Sequence, residues 1–428
     1  MLQPTEGVEA GPDYPDLRPC PSCGAPVPDG PTFTTWCDGC GWNVDGGDPA
    51  DPRPRHVFAR LHQRIVDRAA GRVHARLAAA PDDVRSGSPR RAAVALASAV
   101  ILGCVLAVAG IAWWALTLPG WWRLVALGVL AFAVVALAPR PARLDDRSLV
   151  VEPDVSPHLH ALVDDLAGKV GVATPAEVRV DTSYNMAVLL QGWRLRPTLL
   201  IGLPLWSALE PAERLAILGH ELGHLRGRDT HASQVVWAGQ HLLHGITEVL
   251  WPFDADEHIA LWSWRPLLWV TNAFQRLVAL PFLGLSLALS RLDATTRQRN
   301  EYLADRRATA VAGTEAMVAA LAGVLGPDRG LVSASAAMRR GEDPWSAFEG
   351  LPRRPEREVE RLCRLSELEG HHAGDSHPPT HLRIALVREG RTVTAPALDP
   401  ACWSAVQTEM DHWRRELRPQ LEDDLLLQ

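Results

Sequence analysis

Lysine is almost absent from this chain, which carries its positive charge on arginine. Of the 428 residues only Lys169 is a lysine, and 43 basic and 50 acidic residues give a formal net charge of −7. The chain also lacks a long basic tract. Because binding to nucleic acid depends on clustered positive charge, we expect no nucleic-acid partner.

Cysteine is also scarce, yet four of the seven cysteines form two pairs near the N-terminus. Cys20 and Cys23 form one C-x₂-C pair, Cys37 and Cys40 form the other, and 13 residues separate the pairs. Four thiolates at this spacing predict a structural zinc ribbon within residues 1–50, with a redox pair or a chance coincidence as the alternative. Thiolate ligands require a reducing compartment, which favours a cytoplasmic N-terminus.

The ribbon is too short to fold by burial of apolar side chains alone. A bound zinc ion would therefore supply most of its folding free energy. A segment rich in Gly, Asp and Pro follows at 46–54 and is typical of a linker. We therefore predict a separable module that contacts a protein partner and whose removal spares the hydrolysis of small peptides. Residues 51–90 are predicted to form an amphipathic helical linker.

Charge is missing from two long stretches that follow this linker. Residues 92–122 form a run of 31 without a charged side chain, and a second uncharged run follows Arg123. A helix crosses a bilayer with about 20 apolar residues. Ala92–Leu116 and Trp121–Ala138 therefore predict a two-helix transmembrane hairpin within 91–140. Two buried helices of a soluble domain are the alternative.

The arginines around this hairpin predict its orientation. Within about 20 residues of the spans, five arginines precede the first and three follow the second, while the turn holds one: Arg72, Arg76, Arg85, Arg90, Arg91, then Arg140, Arg143, Arg147, and Arg123 in the turn. The positive-inside rule places both flanks in the cytoplasm. The first 90 residues contain no hydrophobic region typical of a signal peptide. We therefore predict an integral protein of the cell membrane, in contact with lipid, whose N-terminus and catalytic domain are cytoplasmic.

The motif H-E-x-x-H stands at 220–224, within a run that has the apolar periodicity of a helix. A helix places His220 and His224 on one face, so both imidazoles can bind one Zn²⁺. Glu221 lies about 100° further round and can act as a general base toward a water molecule. Gly223 is a poor helix former, which predicts close packing of another element. A chance or solvated histidine pair is the alternative.

A zinc site of this kind needs a third protein ligand. The metzincin extension of the motif is not met, because Thr230 stands where a histidine is required and His231 comes one residue late. The other candidate is Glu301, four residues before Asp305 on a second predicted helix. Glu301 can complete a His₂Glu site, and Asp305 can accept a hydrogen bond from a ligating imidazole. Taken alone, this carboxylate pair is also typical of a solvated helix face.

Three blocks of residues follow one another along the chain. They are HELGHLRGRD from His220, EYLAD from Glu301 and SHPPTHLR from Ser376. In type and order they resemble the HtpX-like and CAAX prenyl protease family of membrane zinc metallopeptidases. The resemblance covers roughly residues 145–390.

This resemblance implies roles for individual residues. It implies that His220, His224 and Glu301 bind a catalytic zinc ion, that Glu221 is the general base and that Asp305 orients a ligand. It also implies an edge strand before the catalytic helix, which matches 183–188.

Two further residues belong to the predicted site. Peptide hydrolysis needs a donor for the negative charge that develops on the carbonyl oxygen. His377 is our candidate for this donor, and an ordinary loop histidine before a Pro-Pro turn is the alternative. Arg383 is predicted to be an ion-pair partner. Substrates are predicted to bind as an added strand along the edge at 184–190.

The remaining pattern predicts a mainly helical, α+β metallopeptidase domain at 145–428 with a small β-sheet. Short strands are expected near 177–180, 184–190 and 198–201. The charged run 353–364 is typical of a solvated helix face. The apolar stretches within 232–290 are compatible with a spanning pair, an interfacial helix or buried helices, and the sequence does not decide among them.

Three functions fit these observations. The first is a membrane-anchored zinc endopeptidase that hydrolyses misfolded or membrane polypeptides at the cytoplasmic face, as in protein quality control. The second is a non-proteolytic zinc-ribbon scaffold or regulator, and the third is a CAAX-type processing protease. The intact ligand set and Glu221 favour the first, because a binding protein has no need of a general base.

Overall fold

Helices account for most of the protein, and two small sheets provide the rest of its regular structure. The computed structural model describes residues 16–30, 33–45, 71–77, 79, 88–138, 147–192, 195–227, 230–251, 265–325, 329–370, 377–395 and 399–426. The predicted linker at 46–54 lies outside the described residues, as does most of the predicted helical linker at 51–90, of which 71–77 are helical. The prediction of a mainly helical chain with a small sheet is confirmed.

The helices are named in chain order. They are α1 (Ser88–Thr117), α2 (Trp122–Leu137), α3 (Pro157–Val170), α4 (Leu203–Ala208), α5 (Pro211–Gly227), α6 (Thr230–Leu250), α7 (Arg265–Ala312), α8 (Thr314–Gly323), α9 (Arg329–Arg339), α10 (Pro344–Glu349), α11 (Glu356–Glu369), α12 (Thr380–Glu389) and α13 (Pro400–Leu426). The strands are β1 (Asp16–Pro19), β2 (Pro26–Asp29), β3 (Leu149–Val150), β4 (Glu177–Asp181), β5 (Met186–Gln191) and β6 (Arg196–Gly202).

The chain divides into two compact units. The first contains 1–81, 143–227 and 298–428, and the second contains 82–142 and 228–297. The first unit therefore includes the four cysteines as well as the H-E-x-x-H motif. The boundaries predicted from the sequence for the ribbon, the hairpin and the peptidase domain stay predictions.

The larger sheet, in the first unit, has the strand order β3-β4-β6-β5. β4 and β6 pair in parallel, while β3 and β5 pair antiparallel on either side. Val178 and Val180 are buried and alternate with partly exposed residues, as expected for a sheet with one buried face. The strands predicted near 177–180, 184–190 and 198–201 are confirmed, and β5 has the predicted edge position.

Leucines of α5 hold this helix against the core of the first unit. Leu215, Leu218 and Leu222 are buried and recur at three- and four-residue steps, so one stripe of the helix faces the core. They pack in the same cluster as Leu199 and Ile201 of β6. Full burial of a leucine contributes about 1.5–3 kcal/mol relative to exposure, so this stripe fixes the position of the helix that carries the motif.

Small residues let α5 and the C-terminal part of α7 approach closely. A Cβ added to Gly223 would lie 3.1 Å from the Cα of Ala304, and one added to Gly219 would lie 3.3 Å from the Cα of Ala308. The close packing predicted at Gly223 is confirmed. Because Glu301 and Asp305 lie on the same part of α7, this contact brings their carboxylates to the histidines of α5.

The second unit consists of α1, α2, α6 and the first part of α7. Its small buried cluster contains Ala93, Ala97, Val236, Leu243 and Leu289. Many large apolar side chains of this unit are exposed, among them Leu106, Trp113, Trp114, Trp121, Trp122, Val129 and Phe132. An apolar surface of this kind indicates that another apolar medium or molecule covers it.

Two helices of the described chain are long and apolar enough to cross a membrane, as judged by length and composition. They are Pro89–Thr117 and Trp269–Ala312. Helix α2 has 16 residues and a length of about 24 Å, less than the roughly 30 Å of a hydrocarbon core. It ends because Ala138 precedes a proline and has extended backbone. The second predicted span, Trp121–Ala138, is thus shorter than expected.

The four-cysteine segment begins with a hairpin in which β1 pairs antiparallel with β2. Gly24 and Gly41 directly follow the two cysteine pairs and have φ angles of 73° and 74°. Glycine adopts this left-handed conformation without steric cost, so each chain can turn tightly around the sulfur atoms. Cys20 and Cys37 are buried, whereas Cys23 and Cys40 are exposed.

Backbone groups of this segment contact α11. Arg357 donates a hydrogen bond of 3.0 Å to the carbonyl of Trp36 and lies over its ring at 4.9 Å. The Thr34 N–H donates to Glu358 at 3.1 Å. The prediction that 353–364 forms a solvated face is wrong for these side chains, because the four-cysteine segment covers them.

A buried ion pair completes this contact. Arg361 donates to both carboxylate oxygens of Glu358, at 3.0 and 2.7 Å, and also to the carbonyl of Val44. Both charged side chains are buried. The separability predicted from the linker therefore conflicts with these contacts, since removing the segment would leave the charges of α11 without their partners.

We expect Arg361→Ala to lower the free energy of unfolding of the full chain by about 3–5 kcal/mol, because it leaves Glu358 buried without its cation. Denaturant unfolding in detergent, followed by tryptophan fluorescence, measures this. The matched control is Arg340→Ala, which removes an arginine from an exposed pair with Glu342 and should change the midpoint little. Equal effects of the two substitutions would show that the contact with α11 adds nothing to stability.

Candidate functional site

Three donor atoms converge between α5 and α7. Nε2 of His220 and Nε2 of His224 are 3.1 Å apart, and the Glu301 carboxylate lies 3.6 Å from the first and 3.5 Å from the second. Ligand atoms at the usual zinc distances of about 2.0–2.2 Å stand roughly 3.3–3.5 Å apart around a tetrahedral ion. The atoms and their spacing therefore fit a His₂Glu zinc site with a fourth position for another ligand.

Asp305 fixes the ring of His220. Its Oδ1 lies 2.8 Å from Nδ1 of that ring, and both side chains are buried. With Nδ1 donating to the carboxylate, the lone pair of Nε2 points toward His224 and Glu301. The structure thus brings Asp305 to the position that the sequence assigned to it.

Arg383 of α12 holds Asp305 in turn. It donates two hydrogen bonds to the carboxylate, from Nη2 at 2.6 Å and from Nε at 2.8 Å. Burial alone would lower the pKa of Arg383, but the carboxylates of Asp305 and Glu301 hold this pKa above its usual value. The guanidinium therefore stays charged, and the prediction that Arg383 is an ion-pair partner is confirmed.

Glu221 lies beside the metal ligands and next to the sheet. Its carboxylate is within 4.8 Å of the donor atoms of His220 and His224. The backbone N–H of Val188 in β5 donates a hydrogen bond of 3.1 Å to its Oε2. Burial raises the pKa of Glu221, and the nearby His220 opposes this rise. The candidate general base is thus positioned by an edge strand as well as by its own helix.

His377 lies against the ligand Glu301. Its Nδ1 is 2.6 Å from Oε2 of that carboxylate, and about half of its side chain is exposed. The sequence assigned His377 to the developing oxyanion, whereas the structure gives Nδ1 a different partner. The predicted donor role is therefore left to Nε2 and stays a prediction.

A cleft of about 630 Å³ opens from these residues. His220, Glu221 and His377 line one part of it, and Asn185 and Met186 line the wall formed by the start of the edge strand. The reacting groups are thus accessible to a polymer that lies in the cleft.

The outer side of the edge strand pairs with no other strand of the described chain. The carbonyl of Asn185 accepts a hydrogen bond of 2.8 Å from the Gly202 N–H. The backbone N–H and carbonyl groups of every second residue, starting with Asn185, therefore point toward β6. The backbone groups of Met186 and Val188 then point away from β6, as expected for an antiparallel pair. The N–H and carbonyl of Met186 and the carbonyl of Val188 can pair with an extended peptide, whereas the Val188 N–H is bonded to Glu221.

The sulfur atoms of the ribbon form a second candidate metal site. Sγ of Cys20 is 3.7 Å from that of Cys40, Sγ of Cys23 is 3.6 Å from that of Cys37, and all four lie within 4.8 Å of one another. Sulfur ligands about 2.3 Å from a tetrahedral Zn²⁺ stand roughly 3.8 Å apart. The geometry fits a four-cysteine zinc site.

Two contacts of the site were missed by the sequence analysis. One is the N–H of Val188 on Glu221, and the other is Arg307, which donates a hydrogen bond of 2.7 Å to the carbonyl of Gly223. The first involves a backbone group and has no signal in the sequence. For the second, small residues four apart on both α5 and α7 could have indicated that the two helices touch.

Comparison with known proteins gives the family. The profile of Peptidase family M48 matches residues 153–391, more than half of the chain. Protease HtpX homolog 1 of Sulfurisphaera tokodaii is 25% identical over 127 residues, which cover 30% of this chain and 38% of that protein's length. No solved structure matches the chain. The matched profile includes α5, the C-terminal part of α7 and α12, the helices on which the candidate zinc ligands and the side chains that contact them lie, and the chain belongs to peptidase family M48.

Proposed function

We propose that this protein is a zinc-dependent endopeptidase anchored in the cell membrane. The observation that carries the proposal is the convergence of His220, His224 and Glu301, where His220 and the neighbouring Glu221 line an open cleft. Membership of family M48 supports a hydrolase of peptide bonds. When bound to these ligands, zinc supplies Lewis-acid chemistry at the scissile carbonyl.

The side chains have separate tasks in this proposal. Glu221 takes a proton from the attacking water and delivers it to the leaving amine. Asp305 and Arg383 hold His220 in one orientation. His377 donates from Nε2 to the carbonyl oxygen as negative charge develops there.

The substrate is proposed to be a polypeptide in extended conformation. The N–H and carbonyl of Met186 and the carbonyl of Val188 would pair with its backbone. Pairing through the main chain does not by itself select a sequence, so it suits misfolded or membrane proteins. The second zinc ion, in the ribbon, has a structural task at α11.

The exposure of apolar helices supports membrane anchoring. In the most apolar part of Pro89–Thr117 only 6% of the residues are buried, whereas a core helix of a soluble protein would be mostly buried. Trp113, Trp114, Trp121 and Trp122 are exposed on either side of the turn between α1 and α2, as in an aromatic belt at a membrane surface. The flanking arginines support a cytoplasmic N-terminus and cytoplasmic peptidase residues.

We expect Glu301→Ala to lower the zinc content of the purified protein from about two ions per chain to about one, because two histidines alone bind zinc weakly. Elemental analysis after dialysis measures the loss. Glu342→Ala, which removes an exposed carboxylate far along the chain, should retain both ions. Full zinc content in Glu301→Ala would overturn the assignment of this ligand.

We expect Glu221→Gln to keep both zinc ions and to lose roughly 10²–10⁴-fold of the rate of peptide hydrolysis, because a general base is removed. Cleavage of an unfolded model substrate by protein purified in detergent measures the rate. Glu315→Gln is the control, since Glu315 is an exposed carboxylate of the same cleft. Equal rates for wild type and Glu221→Gln would favour the non-proteolytic scaffold.

We expect reporter fusions after Ala50 and after Val150 to be cytoplasmic and a fusion at Gly120 to be external. Alkaline extraction should leave the protein in the membrane pellet. An external reporter after Val150 would reverse the orientation, and release by alkali would contradict the membrane anchor.

A further inference from the structure

Two arginines line the cleft near the start of the edge strand. Arg329 is the first residue of α9, and Arg354 lies just before α11. Both are half-buried. Within the part of the chain that the structure describes, neither guanidinium has a carboxylate within ion-pair distance. Neither arginine has a role in the proposed hydrolysis of the peptide bond.

The positive charges of the two side chains add to each other. Burial and then the positive charge of Arg329 lower the pKa of Arg354. The nearby Glu358 opposes this effect, but its two oxygens already accept hydrogen bonds from Arg361 and from the Thr34 N–H. Among the described residues, the charge on Arg354 is therefore poorly compensated.

The acidic residues of the same cleft have other partners or are exposed. Glu356 lies 3.6 Å from Arg388, and Glu213 accepts a hydrogen bond of 3.0 Å from the Glu210 N–H at the start of α5. Glu210 and Glu315, which also line this part of the cleft, are exposed. The pair of arginines thus forms a positively charged part of a partly desolvated cleft.

Packing fixes the arginine pair beside Tyr184, which precedes β5. The centroid of the Tyr184 ring lies 6.2 Å from the centroid of the Phe348 ring. A Cβ added to Gly330 would lie 2.9 Å from both rings, so the first turn of α9 packs directly on them. Arg329 is therefore held close to the N-terminal end of the edge strand.

The direction of the substrate decides which of its residues reach the arginine pair. Antiparallel pairing is the more stable arrangement, so we place the substrate opposite in direction to β5, with its C-terminal part toward Tyr184. Val188, further along β5, contacts Glu221, which marks the scissile bond. The arginine pair consequently faces residues on the C-terminal side of that bond.

We propose that Arg329 and Arg354 bind a carboxylate of the substrate on the C-terminal side of the scissile bond. This inference rests on the proposed function and adds a specificity to it. A guanidinium binds a carboxylate through two parallel hydrogen bonds. The carboxylate is either an acidic side chain or the C-terminus of the peptide.

Matched peptides test the proposal and separate the two sources. Each position on the C-terminal side of one cleaved bond carries either Glu or Gln, and each peptide is made with a free and with an amidated C-terminus. For wild type we expect kcat/KM to favour one carboxylate over its amide by roughly 10–100-fold, the effect of a charge-assisted hydrogen bond. A preference for Glu identifies a side-chain site, and a preference for the free C-terminus identifies a terminal one.

The double variant Arg329→Gln/Arg354→Gln should lose this preference and leave cleavage of the amide peptides nearly unchanged. The control is Arg339→Gln, an exposed arginine at the other end of α9, which should behave as wild type. If the double variant loses zinc, the single variants provide the same comparison. The proposal is overturned if wild type has no preference, or if the double variant slows acidic and amide peptides equally.

Binding separates failure of this site from failure of the proposed function. Fluorescence anisotropy with labelled peptides measures affinity for Glu221→Gln protein, which should bind the acidic peptide more tightly than its amide. If no peptide is cleaved but the arginine substitutions abolish this difference in affinity, the carboxylate site stands and the peptidase proposal fails. If peptides are cleaved without such a difference, the peptidase proposal stands and the carboxylate site fails.

Discussion

The buried ion pair between Asp305 and Arg383 is the interaction on which the rest of the site depends. It joins α7 to α12, and the same carboxylate accepts the Nδ1–H of His220, so three helices meet at one side chain. A buried charge that loses its partner costs several kcal/mol. Both oxygens of Asp305 are therefore tightly constrained, and this constraint passes to the imidazole and to the spacing of the zinc donors. Contacts within the protein thus hold the donor atoms at distances that fit a metal ion.

The sequence predicts those parts of the site that depend on local periodicity. His220 and His224 are four residues apart, and an α-helix alone places them on one face. Glu301 and Asp305 have the same spacing, but nothing local says that they meet the histidines. Placing these carboxylates beside the histidines depended on a family resemblance. Gly223 added only the expectation that another element packs closely against the helix. The contact of Val188 with Glu221 could not be predicted, because it is made by a backbone group that every residue type possesses.

Two predictions from the sequence differ from the structure: the exposure of the charged run 353–364 and the length of α2. The charged run 353–364 has the pattern of a solvated face, yet Arg357, Glu358 and Arg361 are buried because the ribbon's backbone offers them partners. Such partners are distant in the sequence and leave no local pattern. Helix α2 is shorter than its apolar run, since a turn and a proline limit it. The strands and their edge were predictable because alternation of buried side chains is a local property.

The contact between α5 and α7 has a consequence for genetics. Gly219 and Gly223 touch no metal, yet a side chain at either position would meet the backbone of α7. A methyl group at either position must displace Val311 or Ala304 by a few tenths of an ångström, and a bulkier side chain must displace the part of α7 that carries Glu301. A screen for loss of activity would therefore recover bulky substitutions at these glycines together with substitutions of the candidate zinc ligands. Two positions without any reactive group would look, from their phenotype alone, like members of the catalytic set.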